Sequence, residues 1–504
     1  MKYDIIIIGA GLGGLTAGAK LAREGKKVLL IEQHSKPGGC ATTFTRGDFT
    51  LEVGLHEMDG PSPGDMKSRI FNELDVFGNV EFIKVPEFYH FVSDHLNITI
   101  PHDPVKAIEV LGKEFPADTD GIKAFYDQIL NPKRKSSQEG ITEKRSVGEF
   151  LDSIIHNEDL KLVLLGNLGY FHDDPYSISI TYYSVAQGSY CKGGASYIKG
   201  GSQRLSDHLA DYIRNHNGKI ELNHLAAGIV TEGTHLKGVI YKRRTGSASE
   251  MITAYADEII ANTAILNIPE LMGKESGSKI SDEIRNQKPG ASLLTIYFGF
   301  RNSLKTIGNQ HYSTFVFDSS VKTQADILNN NKADFHHRSF TFVDYGQIDS
   351  DLAPEGKSVG AICCIDYLND WELLTREEYE KKKEETAKIF IQRLENIIPG
   401  IASEIEYYEV GTPATIKRYT LNPGGAVYGF AQIPGKPAIN FSGIFDNLHL
   451  ASAWGNIGGG FSGVIINGFL CAVNILRRKR SDLIILLFTW FQSFLFSNVQ
   501  VDLL

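Results

Sequence analysis

A chain of 504 residues, 42% hydrophobic and 22% charged, has an ordinary globular composition and room for about two to four domains. Its net charge of −9 argues against a nucleic-acid partner, which would be served by a basic surface. The five cysteines (Cys40, Cys191, Cys363, Cys364, Cys471) follow neither disulfide nor metal-ligand spacing, so no metal site is read and a reducing compartment is expected. The N-terminus lacks a basic region and runs straight into an apolar stretch, so no secretory signal is expected.

Asp4–Ile8 is a short isoleucine run that reads as a buried parallel strand. Gly9, Gly11 and Gly14 follow in the G-x-G-x-x-G spacing of a dinucleotide-binding turn, with Gly13 inside it. In that turn Gly9 permits the tight bend, Gly11 lets the backbone approach a pyrophosphate, and Gly14 brings the helix close to the strand. Leu15, Ala19 and Ala22 fall at helical spacing, and Gly25 sits where a helix end calls for a left-handed residue. Lys27–Ile31 is the second strand. Glu32 ends it, 18 residues past Gly14, where a carboxylate can accept from both ribose hydroxyls. The same carboxylate would repel an extra ribose phosphate, which points to FAD or NAD rather than NADP.

Further along, residues 44–60 read as a strand pair and a loop, and residues 67–180 carry mixed helical signals with an exposed polar piece at 131–144. Tyr182, Tyr183, Tyr190 and Tyr197 make an aromatic stretch suited to packing or to lining an apolar pocket. Gly200-Gly201-Ser202 reads as a turn and N-cap for a helix carrying Leu205, Leu209 and Tyr212. Strands are expected at 219–222, 238–241 and 257–261, then a long antiparallel region from 291 to about 367. That region includes Cys363 and Cys364 as core and the adjacent His336 and His337 in a strand. A charged helix at 374–397 has the apolar stripe Ala387, Phe390, Ile391 and Leu394. A last strand at 447–451 and Gly458-Gly459-Gly460 lead into a final helix. The tail, four basic residues at 477–480 followed by an apolar run at 483–496, is too short for a span; an interfacial anchor and a docked helix both remain open.

The glycine doublet Gly38-Gly39 with GGCATTFTRGDFTLEVGLHEMDG, then YIKGGSQRLSDHLADYIRNHNGKIELN, IIANTAI, GTPATIKRYTLNPGGAVYG and LHLASAWGNIGGGFSGVIINGFLCA, resemble, in order, the phytoene desaturase, carotene isomerase and retinol saturase family of flavoproteins. The first of these segments is closest to the retinol saturase branch. The resemblance implies an α/β fold: a Rossmann-type FAD-binding domain, with a parallel sheet and helices on both faces, interrupted by a mixed α+β substrate domain. The implied segments are 1–65, 185–285 and 429–480 for FAD, 66–184 and 286–428 for substrate, and 481–504 as an apolar tail. It implies FAD contacts from the first glycine motif, Gly38, Gly39, Arg46, the Ala226 backbone, Ser452, Ala453, Gly459, Gly460 and Phe461. Ser452 replaces the family's usual Gly, and Ala453 the Asp of several members, so a backbone contact is expected there. The helix after Gly460 would aim its N-terminus at the isoalloxazine.

The implied activity is FAD-dependent oxidoreduction of a conjugated isoprenoid polyene, by desaturation, saturation or isomerisation, with the flavin carrying the chemistry and the protein supplying an apolar tunnel. His56 and Glu57 on the flavin side, and Arg418, Tyr419 and Tyr428 on the substrate side, are the candidate catalytic groups. NAD(P)H, if used, binds transiently as an external reductant, since only one dinucleotide fingerprint is present. A lipophilic substrate suggests a cytoplasmic protein on the cytoplasmic face of a membrane. Two other readings stay open: a flavin amine oxidase, with Trp454 and Tyr428 as an aromatic cage, and a non-catalytic FAD-bound isoprenoid carrier. Oligomeric state is not read from the sequence.

Overall fold

The computed structural model describes residues 2–132, 144–244 and 250–478. Most of the polar piece at 131–144 and the tail beyond 478 lie outside the described residues.

The N-terminal strand Lys2–Ile8 sits inside a seven-stranded sheet. On one side it pairs in parallel with Val28–Ile31, which in turn pairs with Lys219–Glu221; on the other it pairs with Ile252–Ala261. The last strand, Leu448–Leu450, joins the far end of Ile252–Ala261, also in parallel. Two antiparallel strands, His235–Arg243 and His224–Glu232, complete the edge. The isoleucine run is apolar throughout because both of its faces are covered. Ile5 and Ile7 pack with Val28 and Leu30 beneath helix Leu12–Arg23 and helix Gln203–Asn215. Ile6 and Ile8 pack with Leu29 and Ile31 against the opposite layer. The expected α/β Rossmann-type fold is therefore present, with the strands read at 238–241 and 257–261 longer than expected.

The second seven-stranded sheet runs in the order Ile405–Gly411, Ser292–Phe300, Ser358–Asp366, Phe340–Asp344, Ser313–Val316, Tyr89–Val92, Asn97–Ile100. All steps are antiparallel except the one between Ser313–Val316 and Tyr89–Val92. The period-two alternation of a strand decides its two faces. Leu294, Ile296, Ile362 and Cys364 pack under Ala387, Phe390 and Leu394 of helix Arg376–Ile397. Their neighbours Leu293, Thr295, Tyr297 and Cys363 face the main cavity. That helix starts after Thr375, whose hydroxyl and the Glu378 carboxylate form a reciprocal capping box. His336 and His337 lie in a turn rather than a strand, where His336 bonds Asp334 at 2.6 Å; the strand begins only at Phe340. Among the described residues no helix is long and apolar enough to cross a membrane.

Candidate active site

The glycine turn is built by close approach on three sides. Gly9 adopts φ of +100°, and a side chain there would meet the Asn262 carbonyl oxygen at 2.6 Å. A Cβ on Gly13 would lie 1.7 Å from the Ala451 carbonyl oxygen, and one on Gly14 would lie 2.4 Å from the Gly9 carbonyl oxygen. Asn262, which follows the strand Ile252–Ala261, donates its side-chain amide to the carbonyls of Gly9 (3.0 Å) and Gly11 (3.3 Å), fixing the turn from behind. Sequence reasoning placed this asparagine in a motif without giving it a role. Gly11 caps helix Leu12–Arg23 with no side-chain hydrogen bond, and the first turn carries no acid. The free N–H groups at that end are an anion site, and Gly11, Leu12 and Gly13 line the cavity.

Glu32 stands where the fingerprint requires. It is buried, and its Oε2 accepts from the Ala10 N–H (2.7 Å) while Oε1 accepts from the His34 N–H (2.8 Å). Burial raises its pKa and these amides act against the rise. With each oxygen anchored by one amide, the remaining lone pairs are free for ribose hydroxyls at the cavity edge.

Helix Gln203–Asn215 braces the glycine doublet. Gln203 donates to the Pro37 carbonyl (3.0 Å) and Ser206 to the Ala41 carbonyl (2.6 Å). Gly38 takes φ of +127° beneath the Ala41 carbonyl, a conformation that excludes other residues there. Ser202 does not act as the expected N-cap. Its backbone is already helical, and its N–H (2.8 Å) and hydroxyl (2.6 Å) both donate to Glu52. Glu52, 2% exposed, also accepts from Tyr197 and from the Gly54 and Leu55 amides. Nothing local in the sequence marks this carboxylate, because its partners lie about 150 residues away.

The terminal motif closes the opposite wall. Ser452 donates to the Thr263 carbonyl at 3.0 Å, and Ser452 and Ala453 both line the cavity. Gly459 lies against the Tyr428 carbonyl, and Gly460 (φ +78°) has open space above it. The helix Phe461–Arg478 starts there with no acid in its first turn, and Ser462 bonds the Asp59 carboxylate, which is itself paired with the buried Lys67.

A single cavity of about 1620 Å³ runs from Gly11 and Glu32, past Gly39 and Gly460, into a chamber bordered by Ile129, Leu130, Val185 and Tyr190. Helix Ile180–Gly193 supplies one chamber wall: Tyr183 and Gln187 pack inward while Tyr182, Val185 and Tyr190 face the cavity. His56, Glu57 and Tyr428 line it too. The His56 Nδ1 shares a hydrogen bond with the Tyr170 hydroxyl (3.0 Å), and burial pushes its pKa down to about 4, so the ring is neutral near pH 7. Glu57 is 8% exposed, its Oε2 has no hydrogen-bond partner among the described residues, and burial aided by the Glu87 charge holds its pKa well above the carboxylate range. Burial raises the Tyr428 phenol as well.

Three expected contacts fall elsewhere. Arg46 is at the surface, in a fork on Glu409 (2.8 and 3.2 Å), because its hairpin points away from the cavity. Arg418 is exposed over the Tyr419 ring on the outer face of helix Pro413–Thr420, whereas Ile416, Tyr419 and Thr420 line the cavity. Ala226 sits on the outermost strand opposite Tyr241, outside the cavity lining; Glu32, Gln33 and His34 wall that end instead. Trp454 does reach the cavity lining beside Tyr428, with its ring held edge-on against Phe430 and its indole N–H donating to Asn422.

A Rossmann-like sheet, a glycine turn with a buried ribose acid, and a second helix N-terminus on the same cavity define a dinucleotide-binding oxidoreductase. A NAD(P)-binding Rossmann-like domain is recognised over residues 7–74. The chain is 27% identical to the prolycopene isomerase of Daucus carota, over 94% of this chain and 79% of that protein. It is 25% identical to the all-trans-retinol 13,14-reductase of Danio rerio, over 84% and 77%. An oxidoreductase from Methanosarcina mazei shares the fold, with a TM-score of 0.65 at 18% identity, covering 95% of this chain and 100% of that one. The relatives that it matches are prolycopene isomerases and retinol reductases, in line with the resemblance its motifs carry.

Proposed function

We propose that the protein is an FAD-dependent oxidoreductase acting on the carbon–carbon double bonds of a conjugated isoprenoid polyene. The observation that carries this reading is the continuity of the cavity from the dinucleotide turn to a chamber walled by aliphatic and aromatic side chains. A small polar substrate would be served by convergent ionised groups, whereas burial works against the charged form of each candidate polar group, His56, Glu57 and Tyr428.

The residues fit FAD. Glu32 would take the ribose hydroxyls, the free amides after Gly11 the pyrophosphate, and the open space over Gly460 at the Phe461 helix start the ring. When bound, flavin supplies hydride transfer. The chain's own residues do the rest. Tyr182, Val185 and Tyr190 orient an extended apolar ligand and exclude water, and His56, with its Nδ1 engaged by Tyr170, presents an uncharged ring. NAD(P)H serves, if at all, as a transient reductant.

The test is an absorption spectrum of the purified protein, followed by anaerobic mixing of its oxidised and reduced forms with retinol, phytoene and lycopene isomers. A flavin spectrum that changes with a polyene is expected. A flavin that reacts with amines and releases peroxide, or a polyene that binds without any flavin response, would replace the reading with an amine oxidase or a carrier. A lipid-resident substrate also places the protein at a membrane surface; liposome co-sedimentation with and without residues 481–504 tests the tail as the attachment.

A further inference from the structure

We infer that Glu57 is the proton donor of the cavity, a neutral carboxylic acid that delivers its proton to a carbon of the bound polyene, so that this site runs toward saturation. The inference rests on the polyene reading above and adds a direction to it.

The backbone carrying Glu57 is held at three successive carbonyls by tyrosine hydroxyls from three different elements. Tyr345 donates to the Leu55 carbonyl (2.9 Å), Tyr312 to that of His56 (2.5 Å), and Tyr190 to that of Glu57 (3.4 Å). Leu55 is also tied through its N–H to Glu52 at 3.3 Å. A loop fixed at this many points holds its side chain in one place, as positioning a reacting group requires. Yet the Glu57 carboxyl itself makes no hydrogen bond through Oε2, and no cation stands within ion-pair distance among the described residues. Such a group does not stabilise the fold, since a buried unsatisfied polar atom costs about 1–3 kcal/mol. It lines the same cavity as the Gly459–Phe461 segment.

The titratable groups around it include His56 on its own loop, Glu87, Asp59, and the phenols of Tyr170, Tyr190, Tyr312 and Tyr345. Asp59 is neutralised by Lys67, and His56 carries no charge near pH 7. None of these supplies a positive charge that would ionise Glu57, and the Glu87 carboxylate opposes ionisation. Removing a proton from an alkyl C–H, as desaturation demands, needs an ionised base. Completing a saturation needs an acid, which is what this environment maintains.

The step balances as follows. A dihydroflavin bound in the same cavity would give a hydride to one alkene carbon and lose its remaining N–H proton to solvent, ending as oxidised flavin. The Glu57 O–H bond breaks and its proton goes to the neighbouring carbon. The π bond is lost, two C–H bonds form, and the carboxylate regains a proton from water.

Infrared spectroscopy of the wild-type holoenzyme at pH 7 tests the acid without reference to activity. A protonated-carboxyl carbonyl band is expected that is absent from Glu57→Gln, while both proteins keep the same flavin spectrum and the same absorption shift of bound retinol. In D2O, with the flavin photoreduced anaerobically, the wild type should place one solvent deuteron in the product. Glu57→Gln should do so about a hundredfold more slowly or less, and Glu57→Asp should restore part of the rate. No acid band in the wild type, or an undiminished deuteration rate in Glu57→Gln, overturns the inference while polyene binding stands. Failure of every polyene to bind, with the acid band present, overturns the polyene reading and the proton step with it. The wild-type measurement holds even if the Gln variant does not fold.

Discussion

Replacing Glu52 by alanine should cost the protein more than any change to its exposed charges. The carboxylate is 2% exposed and collects five donors: the Gly54 and Leu55 amides at 3.3 Å, the Tyr197 hydroxyl at 3.1 Å, and the N–H and hydroxyl of Ser202 at 2.8 and 2.6 Å. Truncation leaves at least the Ser202 and Tyr197 donors buried without water. At about 1–1.5 kcal/mol for each of these three, the loss comes to roughly 4 kcal/mol, within the range for breaking a buried charged network. Because Ser202 opens the helix whose Gln203 and Ser206 hold the Pro37–Ala41 loop, flavin retention should fall as well. Urea midpoints followed by far-UV circular dichroism, with bound flavin measured by fluorescence, provide the assay. A double-mutant cycle with Ser202→Ala should give a coupling of at least about 1 kcal/mol. A destabilisation below about 1 kcal/mol, or strict additivity of the two changes, would refute the reasoning.

Gly13→Ala puts a Cβ 1.7 Å from the Ala451 carbonyl oxygen and should destabilise by about 1–3 kcal/mol or more with loss of flavin; Gly25→Ala, where space is open and only φ of +75° resists, should keep its flavin and lose about 1 kcal/mol, both read from denaturation midpoints. Arg46→Ala removes an exposed ion pair with Glu409 and should change stability by less than about 1 kcal/mol and leave flavin affinity unaltered, as a binding titration would show. His56 has its pKa lowered in the fold from 6.5 to about 4, so the unfolded chain binds the proton first as pH falls. Its contribution is present above pH 6.5 and lost toward pH 4, on the order of 3 kcal/mol, and His56→Gln should flatten that part of the stability–pH curve.

The cofactor end of the molecule was legible because its signals are local. A glycine turn, the acid after the second strand and the terminal glycines are each read within a few residues of one another, and the backbone at Gly9, Gly38 and Gly460 takes the positive φ that glycine permits. The substrate end was less so. Arg46 and Arg418 were assigned by motif position, but which way a side chain leaves a hairpin or helix depends on the partner packed against it. Here Glu409 and solvent take them. Glu52 and Asn262 escaped notice for the converse reason. Each is an unremarkable polar residue until segments far apart in the chain converge on it. The strand His224–Glu232 was not read, and the parallel step between Tyr89–Val92 and Ser313–Val316 is a pairing across more than 200 residues that no local pattern encodes.

The order of the first sheet governs when the protein can become whole during synthesis. Strand Lys2–Ile8 leaves the ribosome first, but its partner Ile252–Ala261 is made some 250 residues later, and Leu448–Leu450 closes that partner only near the end. Gly13 in turn is seated between Ala451 and Gly468. At about 5–20 residues per second, the nascent chain holds an apolar strand edge without its neighbour for tens of seconds, so the protein that buries its isoleucines most completely must first keep them from other chains. Loss of the final helix would therefore unseat the first one.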